Sequence, residues 1–130
     1  MFLYSVIKVF FMKQTFFQSL KICLKKYATF SGRASRTEFW HYYVFWLIIG
    51  LALSSSVRIN QSIESEILRL IINIIITIPL FAVGSRRLHD IGKSGWWQLI
   101  QLSIIGYIPL IYWLAKPSVK ESNIYGETLE

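Results

Sequence analysis

The sequence has few charged residues, one cysteine and two histidines in a chain of 130 residues. Charged residues make up 16% of it, against roughly a quarter in soluble domains, so a water-facing surface cannot be covered. The single cysteine, Cys23, excludes an internal disulfide. Two histidines without a second cysteine argue against a structural zinc site.

The sequence is instead rich in apolar and basic residues. Hydrophobic residues make up 54% of it, the mean hydropathy is +0.46 and the formal net charge is +7. A basic chain favours nucleic acid or anionic lipid, and the apolar content selects lipid, so we predict no nucleic-acid binding. The first 27 residues lack a signal-peptide cleavage site. An amphipathic pattern begins after Met12, so we expect Met12 to be the usual initiator or the residues before it to be dispensable.

Three stretches are long and apolar enough for membrane helices, which need roughly 20 residues. They are residues 39–57, 67–85 and 96–114. The third contains Gly106 and Pro109, so a kinked span and a re-entrant hairpin are both open. We therefore predict one all-α membrane domain over residues 1–130, with three transmembrane helices, the third kinked or re-entrant, and a polar tail over residues 115–130.

A different pattern over residues 13–29 precedes the first span. Apolar side chains recur there at helical spacing, with glutamines and lysines between them; they are Phe16, Leu20, Cys23, Leu24 and Tyr27. This pattern predicts an amphipathic helix that lies in the membrane interface, and the alternative is a soluble helix that packs on a partner. Basic residues concentrate before the first span and after the second, so the N-terminus is predicted to be cytoplasmic. The C-terminus lies outside if the third segment spans, and inside if it re-enters.

The first polar motif is FSGRASRTEFW, residues 30–40. Gly32 allows a sharp turn out of the surface helix. Ser35 and Glu38 have the spacing of a capping box, in which each side chain bonds the backbone N–H of the other residue. We interpret Glu38 as a cap rather than a catalytic acid.

The second polar motif is RRLHDIGKSGWW, residues 86–97. Its glycines predict a turn, and Ser94 is a candidate N-cap for the third segment. The pair His89–Asp90 is too small for a metal-dependent phosphohydrolase, because the chain has one other histidine and no other aspartate. The Gly-Lys-Ser string lacks the upstream glycine that a phosphate-binding loop requires at a fixed spacing.

The two motifs should meet at one edge of the membrane. They contribute an interfacial polar cluster, namely Arg33, Arg36, Glu38, Arg86, Arg87, His89, Asp90 and Lys93. Charges at a bilayer edge are poorly screened and should pair. We therefore predict that Asp90 bonds Arg33 or Arg36, and that Glu38 lies near Arg86 or Arg87. The alternative is that each motif only caps its own helix.

The two motifs, followed by NIYG at residues 123–126, resemble the bacterial inner-membrane family known as domain of unknown function 805. The resemblance runs from about the surface helix to Gly126. It implies a multi-pass protein of the bacterial inner membrane and carries no established activity. The tail departs from the family pattern, because Thr128 and Leu129 replace a usual proline and Pro117-Ser118-Val119-Lys120 replaces usual glycines.

The sequence is compatible with three functions, and none requires a cofactor or metal. We favour a non-enzymatic scaffold or accessory component whose basic cytoplasmic face contacts anionic phospholipid headgroups, a membrane protein partner or a second copy of the chain. The alternative is a transporter or channel subunit with a pathway lined by Asn73, Gln98 and Gln101. A lipid-modifying enzyme that uses His89 and Asp90 is the third. Small and polar pairs, Gly50 with Ser54 and Asn73 with Thr77, are predicted to bring the spans together.

Overall fold

A computed structural model describes residues 14–56 and 62–129. Those residues form four α-helices and one 3-10 helix: α1 Phe16–Lys25, α2 Arg36–Ser56, α3 Ile63–Asp90, the 3-10 helix Gly95–Leu102 and α4 Tyr107–Ala115. No β-strand occurs in the described ranges, where an isolated bridge joins Asn123 and Gly126. The all-helical class is therefore confirmed. The prediction about Met12 lies outside the described residues.

Helix α1 begins at a capping box and packs across α2. The Thr15 hydroxyl accepts from the N–H of Gln18, and the Gln18 side chain accepts from the N–H of Thr15. The buried side is built on Ser19 and Cys23. Leu24, which the sequence pattern assigned to the same apolar stripe as Cys23, is 54% exposed. The helix therefore has a protein-facing side and a separate exposed apolar edge.

Helix α3 contains Pro79, which has no backbone N–H to donate to the carbonyl of Ile75. The Tyr27 hydroxyl, in the loop after α1, donates to that carbonyl at 2.7 Å. One residue further along, the Tyr42 hydroxyl of α2 donates to the carbonyl of Ile76 at 3.0 Å. Two tyrosines from different elements thus donate hydrogen bonds to backbone carbonyls of α3 near its proline. These bonds also hold α2 and the loop after α1 against α3.

The predicted polar pairs between spans are present only in part. Thr77 joins the helices, because its hydroxyl accepts from the Trp46 indole N–H at 3.0 Å. The amide of Asn73 donates to the carbonyl of Arg69 on its own helix. The prediction for Gly50 and Ser54 is wrong: a Cβ on Gly50 would have nothing within 4 Å, and the Ser54 hydroxyl bonds its own helix.

Among the described residues, α3 is the one helix that is both long and apolar enough to cross a membrane. The prediction of three transmembrane helices is therefore not confirmed. Residues 96–114 form the 3-10 helix and α4, which are about 16 Å and about 14 Å long, well short of the roughly 30 Å of hydrocarbon. The predicted break at Gly106 is present, and a Cβ there would lie 2.0 Å from the carbonyl oxygen of Ile100.

The 3-10 helix and α4 form a hairpin that returns to the Asp90 end of α3. Ser94 caps the 3-10 helix by accepting from the N–H of Trp96. At the other end of the hairpin, the carbonyl of Leu114 accepts from Arg87. Both ends of residues 96–114 therefore lie at one end of the bundle, as the re-entrant alternative expected. Residues at the tip are strongly exposed, with Ile104 at 91%.

Candidate functional site

A buried cluster of arginines and carboxylates lies where α2 begins and α3 ends. Its centre is the Asp90 carboxylate, which is fully buried and contacts two arginines. Oδ1 of Asp90 lies 2.9 Å from Nε and 2.8 Å from Nη2 of Arg33. Oδ2 lies 2.6 Å from Nη1 of Arg87, one turn back on α3. The predicted pair between Asp90 and the first motif is thus present, with Arg33 rather than Arg36.

The same two arginines bind backbone carbonyls of the C-terminal tail and of the last turn of α4. Arg33 donates to the carbonyls of Val119 at 2.6 Å and Glu121 at 2.9 Å. Arg87 donates from Nε to the carbonyl of Leu114 at 3.1 Å and from Nη2 to that of Lys116. The tail is therefore held by main-chain oxygens, and its side chains are not needed for these contacts.

A second ion pair joins the two motifs beside the first. Nη1 of Arg86 lies 2.5 Å from Oε1 of Glu38, and both side chains are buried. The prediction that Glu38 lies near Arg86 or Arg87 is confirmed. Half of the predicted capping box is also present, because the Ser35 hydroxyl accepts from the N–H of Glu38 at 3.2 Å. The Glu38 carboxylate is turned toward Arg86 instead of toward the N–H of Ser35.

The buried charges of the cluster do not cancel. Three arginines, Arg33, Arg86 and Arg87, face two carboxylates, and all five are at most 7% exposed. Burying ions is unfavourable unless partners compensate them. The tail carbonyls supply that compensation to Arg33 and Arg87. Within the described residues, Nε and Nη2 of Arg86 are buried without a hydrogen-bond partner, so Glu38 is the group that compensates Arg86.

Cys23 of α1 lies against this second pair, 3.9 Å from both the carbonyl and the carboxylate of Glu38. Burial raises the pKa of the Cys23 thiol to about 12, and the negative charge of Glu38 adds to that rise. The thiol is therefore protonated at neutral pH, which makes it a poor nucleophile. Cys23 is thus a small buried side chain that packs against the cluster from α1.

His89 is bound by the tail on the outer side of the cluster. Its Nδ1 lies 3.0 Å from the carbonyl oxygen of Gly32, and its ring stacks on Tyr125 with centroids 3.9 Å apart. The Asn123 side chain donates to the backbone carbonyl of His89 at 2.9 Å and accepts from the N–H of Tyr125 at 2.9 Å. The NIYG segment thus folds onto the second motif, a contact that sequence reasoning missed.

Two of the eight predicted residues lie outside these contacts. Lys93 places its ammonium 4.3 Å from the centre of the Trp113 ring and 5.9 Å from that of Trp97. Arg36 is half-buried in the first turn of α2 and does not contact Asp90. Of the described residues, no three histidines, cysteines or acids are grouped so that they could hold a metal ion.

A cavity of about 260 Å³ lies deeper, between α2, α3 and the hairpin. Gln98 and Gln101, two of the residues predicted to line a solute pathway, border it together with Thr77, whereas Asn73 does not. The Gln98 amide donates to the backbone carbonyl of Phe81 at 3.1 Å. The cavity walls are mostly aromatic and aliphatic, and the bonds of Gln98 to Phe81 and of Trp46 to Thr77 join neighbouring elements there.

Both motifs and the NIYG segment lie within residues 27–127, which match the family described as "Protein of unknown function (DUF805)". The chain belongs to the DUF805 family. It is 33% identical over 104 residues to "Inner membrane protein YhaI" of Escherichia coli K12, covering 79% of this chain and 87% of YhaI. It is 38% identical over 95 residues to "Inner membrane protein YhaH" of the same strain, covering 70% of this chain and 74% of YhaH. No solved structure matches.

In this DUF805 protein, the two motifs and the tail lie together. All three contribute to one buried cluster at one end of the bundle. The resemblance read from the motifs is confirmed by the match over residues 27–127.

Proposed function

We propose that this DUF805 protein is a non-enzymatic scaffold of the bacterial inner membrane whose basic end faces the cytoplasm and contacts anionic phospholipids. The observation that carries the proposal is the enclosure of the cluster: Arg33 and Arg87 are bonded to Asp90 and to backbone carbonyls of α4 and the tail. Arginines that are buried and bonded in this way join segments of the chain. They support a rigid end of the molecule on which other molecules assemble.

Exposed apolar side chains support the placement in the membrane. On α3, Ile67, Ile71 and Ile74 are exposed at helical spacing, and Ile104 and Ile105 are exposed at the hairpin tip. Surfaces of this kind are stable against lipid and unfavourable in water. The relatives named as inner membrane proteins support the same placement.

The arrangement of α1 supports a position at the membrane interface. Phe17 and Leu24 are seven residues apart, so they lie on one face of the helix, and both are exposed. Lys21 and Lys25 are exposed on the adjacent face. A helix with an apolar edge beside a row of lysines lies with the edge in lipid and the lysines at the headgroups.

The distribution of charge supports a cytoplasmic location for this end. Four acidic residues of the described chain belong to α1, the cluster and the tail, against ten basic residues: Lys21, Lys25, Lys26, Arg33, Arg36, Arg86, Arg87, Lys93, Lys116 and Lys120. The start of α3, at the opposite end, carries Glu64, Glu66 and Arg69. Basic residues are retained on the cytoplasmic side of a membrane.

Single cysteines in a Cys23→Ser background test this orientation. Ser62→Cys should react with a membrane-impermeant maleimide in spheroplasts, whereas Ser94→Cys and Ser122→Cys should react only after permeabilisation. The hairpin is the reason that Ser122 is expected on the same side as Ser94. Labelling of residue 122 from outside would instead show that the third segment crosses the membrane. The reverse pattern at residues 62 and 94 would show that the orientation is opposite to the proposed one.

The lipids that copurify with the protein test whether its basic face, the exposed lysines of α1 and Lys26, contacts anionic headgroups. Replacing Lys21, Lys25 and Lys26 with glutamine should lower the ratio of anionic to zwitterionic lipid, by roughly fivefold per lysine, because each is worth about 1 kcal/mol near anionic headgroups. Lipid mass spectrometry of the purified protein measures the ratio. Arg69→Gln at the opposite end is the matched control and should leave it unchanged. An unchanged ratio in the triple variant, or an equal fall in the control, refutes the proposal.

A further inference from the structure

A groove of about 830 Å³ opens beside the cluster, between α3, the 3-10 helix and the Phe30–Ser31 segment. Four side chains of α3 line it at spacings of three and four residues, so they form one face of the helix: Ile78, Phe81, Ser85 and His89. The face is roughly 16 Å long at 1.5 Å per residue. The volume of the groove lies within the usual range of sites for organic ligands.

The groove changes from apolar to polar along its length. The part far from the cluster is lined by Ile78, Phe81 and Leu99, and the one amide there, of Gln98, is bonded to the carbonyl of Phe81. The part near Asp90 offers the hydrogen-bonding groups of Ser31, His89 and Ser94 beside the rings of Phe30 and Tyr125. No lysine, arginine, aspartate or glutamate of the described chain lines it. A ligand that fits it has a long apolar part and a polar, overall uncharged head.

His89 defines what the polar end accepts. A carbonyl oxygen only accepts hydrogen bonds, so Nδ1 of His89, at 3.0 Å from the oxygen of Gly32, carries the proton. In the neutral ring Nε2 is then an acceptor, and it has no bond to another described residue. The Ser94 hydroxyl already accepts from the N–H of Trp96, which leaves its own proton to donate.

We propose that this groove binds one molecule of phosphatidylethanolamine. The ammonium donates to Nε2 of His89, the phosphate accepts from the hydroxyls of Ser31 and Ser94, and an acyl chain lies along Ile78, Phe81 and Leu99. The headgroup end is the end that carries the basic residues, so the site rests on the membrane placement proposed above. It differs from the lysine-rich face in selecting a zwitterionic lipid by hydrogen bonds rather than an anionic lipid by charge.

Native mass spectrometry of the full-length protein in detergent tests the site directly. Phosphatidylethanolamine should bind roughly tenfold more tightly than phosphatidylcholine with the same acyl chains, because the quaternary ammonium of choline cannot donate a hydrogen bond. Phosphatidylglycerol is the third lipid. Equal binding of ethanolamine and choline lipids, or tighter binding of phosphatidylglycerol, overturns the proposal.

Variants separate the two ends of the groove. In His89→Asn, the amide nitrogen takes the place of Nδ1 and keeps the donor to Gly32 while Nε2 is lost, so binding of the ethanolamine lipid should fall roughly tenfold. Leu99→Trp should obstruct the apolar end and lower binding of every lipid. Ile104→Trp, at the exposed hairpin tip, is its matched control. If His89→Asn leaves the preference intact, or if Ile104→Trp acts as strongly as Leu99→Trp, the site is elsewhere.

Two features keep the result interpretable. The comparison of lipids on the unmodified protein decides the proposal even if a variant fails to fold. The measurement also uses detergent and an added zwitterionic lipid, so it does not depend on orientation or on the anionic lipids of the basic face. The proposed function and this site can therefore fail separately.

Discussion

Asp90→Asn should remove most of the folded protein from the membrane fraction. The substitution keeps the size of the side chain and removes the charge that Arg33 and Arg87 share, which leaves two buried arginines without a counter-ion. Breaking a buried pair in this way costs about 3–5 kcal/mol. That is a large part of the 5–15 kcal/mol by which folded proteins are usually stable. Immunoblotting of membranes and thermal unfolding in detergent measure the loss.

The control for Asp90→Asn is Glu121→Gln, which neutralises an exposed acid of the tail and should change unfolding little. Charge reversal then tests the pairing itself. Arg33→Asp should partly restore an Asp90→Arg variant, whereas Arg36→Asp should not, because Arg33 is the residue that contacts Asp90. The rescue should be incomplete, since Arg87 would then face a new arginine. Merely additive double variants would show that the motifs are not coupled.

Glu38→Gln should have an effect of similar size for a different reason. Two nitrogens of Arg86 have no partner within the described residues, so the Glu38 carboxylate is the group that compensates this buried cation. Its removal should lower the free energy of unfolding by about 3–5 kcal/mol. Thermal unfolding in detergent provides the measurement.

The double variant Glu38→Gln with Arg86→Met tests that explanation. Removing both charges should recover most of the stability, because a buried ion pair can often be replaced by uncharged residues of similar volume. The matched control is Glu66→Gln, which breaks the exposed pair with Arg69 and should cost less than 1 kcal/mol. A double variant as unstable as Glu38→Gln alone would contradict the explanation.

The two ion pairs were predictable because the sequence offers few acids near its arginines. Asp90 and Glu38 are the acids of the two motifs, and unpaired charges at a membrane edge are unfavourable, so little choice of partner remained. The choice between Arg33 and Arg36 was not predictable. It depends on how Gly32, at a φ of 88°, directs the chain into α2.

The contacts of the tail could not be predicted in the same way. Arg33 and Arg87 bind backbone carbonyls at residues such as Val119 and Leu114, and every residue type has a carbonyl. A sequence pattern therefore cannot mark these partners. The NIYG segment was the available signal, but its stacking on His89 depends on the path of the hairpin before it.

The helices show the same limit. The spacing of apolar residues predicted α1, but this helix has one side packed against the bundle and a second, apolar edge that is exposed. The pattern could not say that Cys23 faces the protein and Leu24 the outside. Gly106 marked the break in the third segment. The tertiary contacts that decide whether the chain crosses or turns back after such a break involve distant residues, among them Arg87.

The bonds of Arg33 also set an order of events during synthesis. Asp90 is 57 residues further along the chain, and Gly126, whose carbonyl also accepts from Arg33, is 93 residues further. At 5–20 residues per second, the ribosome reaches Asp90 roughly 3–11 s after Arg33. During that interval Arg33 has neither its carboxylate nor its carbonyl partners, and it can be enclosed only once the tail has been made. A polypeptide that stops before residue 119 lacks the carbonyls of Val119, Glu121 and Gly126, so Arg33 is less enclosed in an unfinished chain than in a complete one.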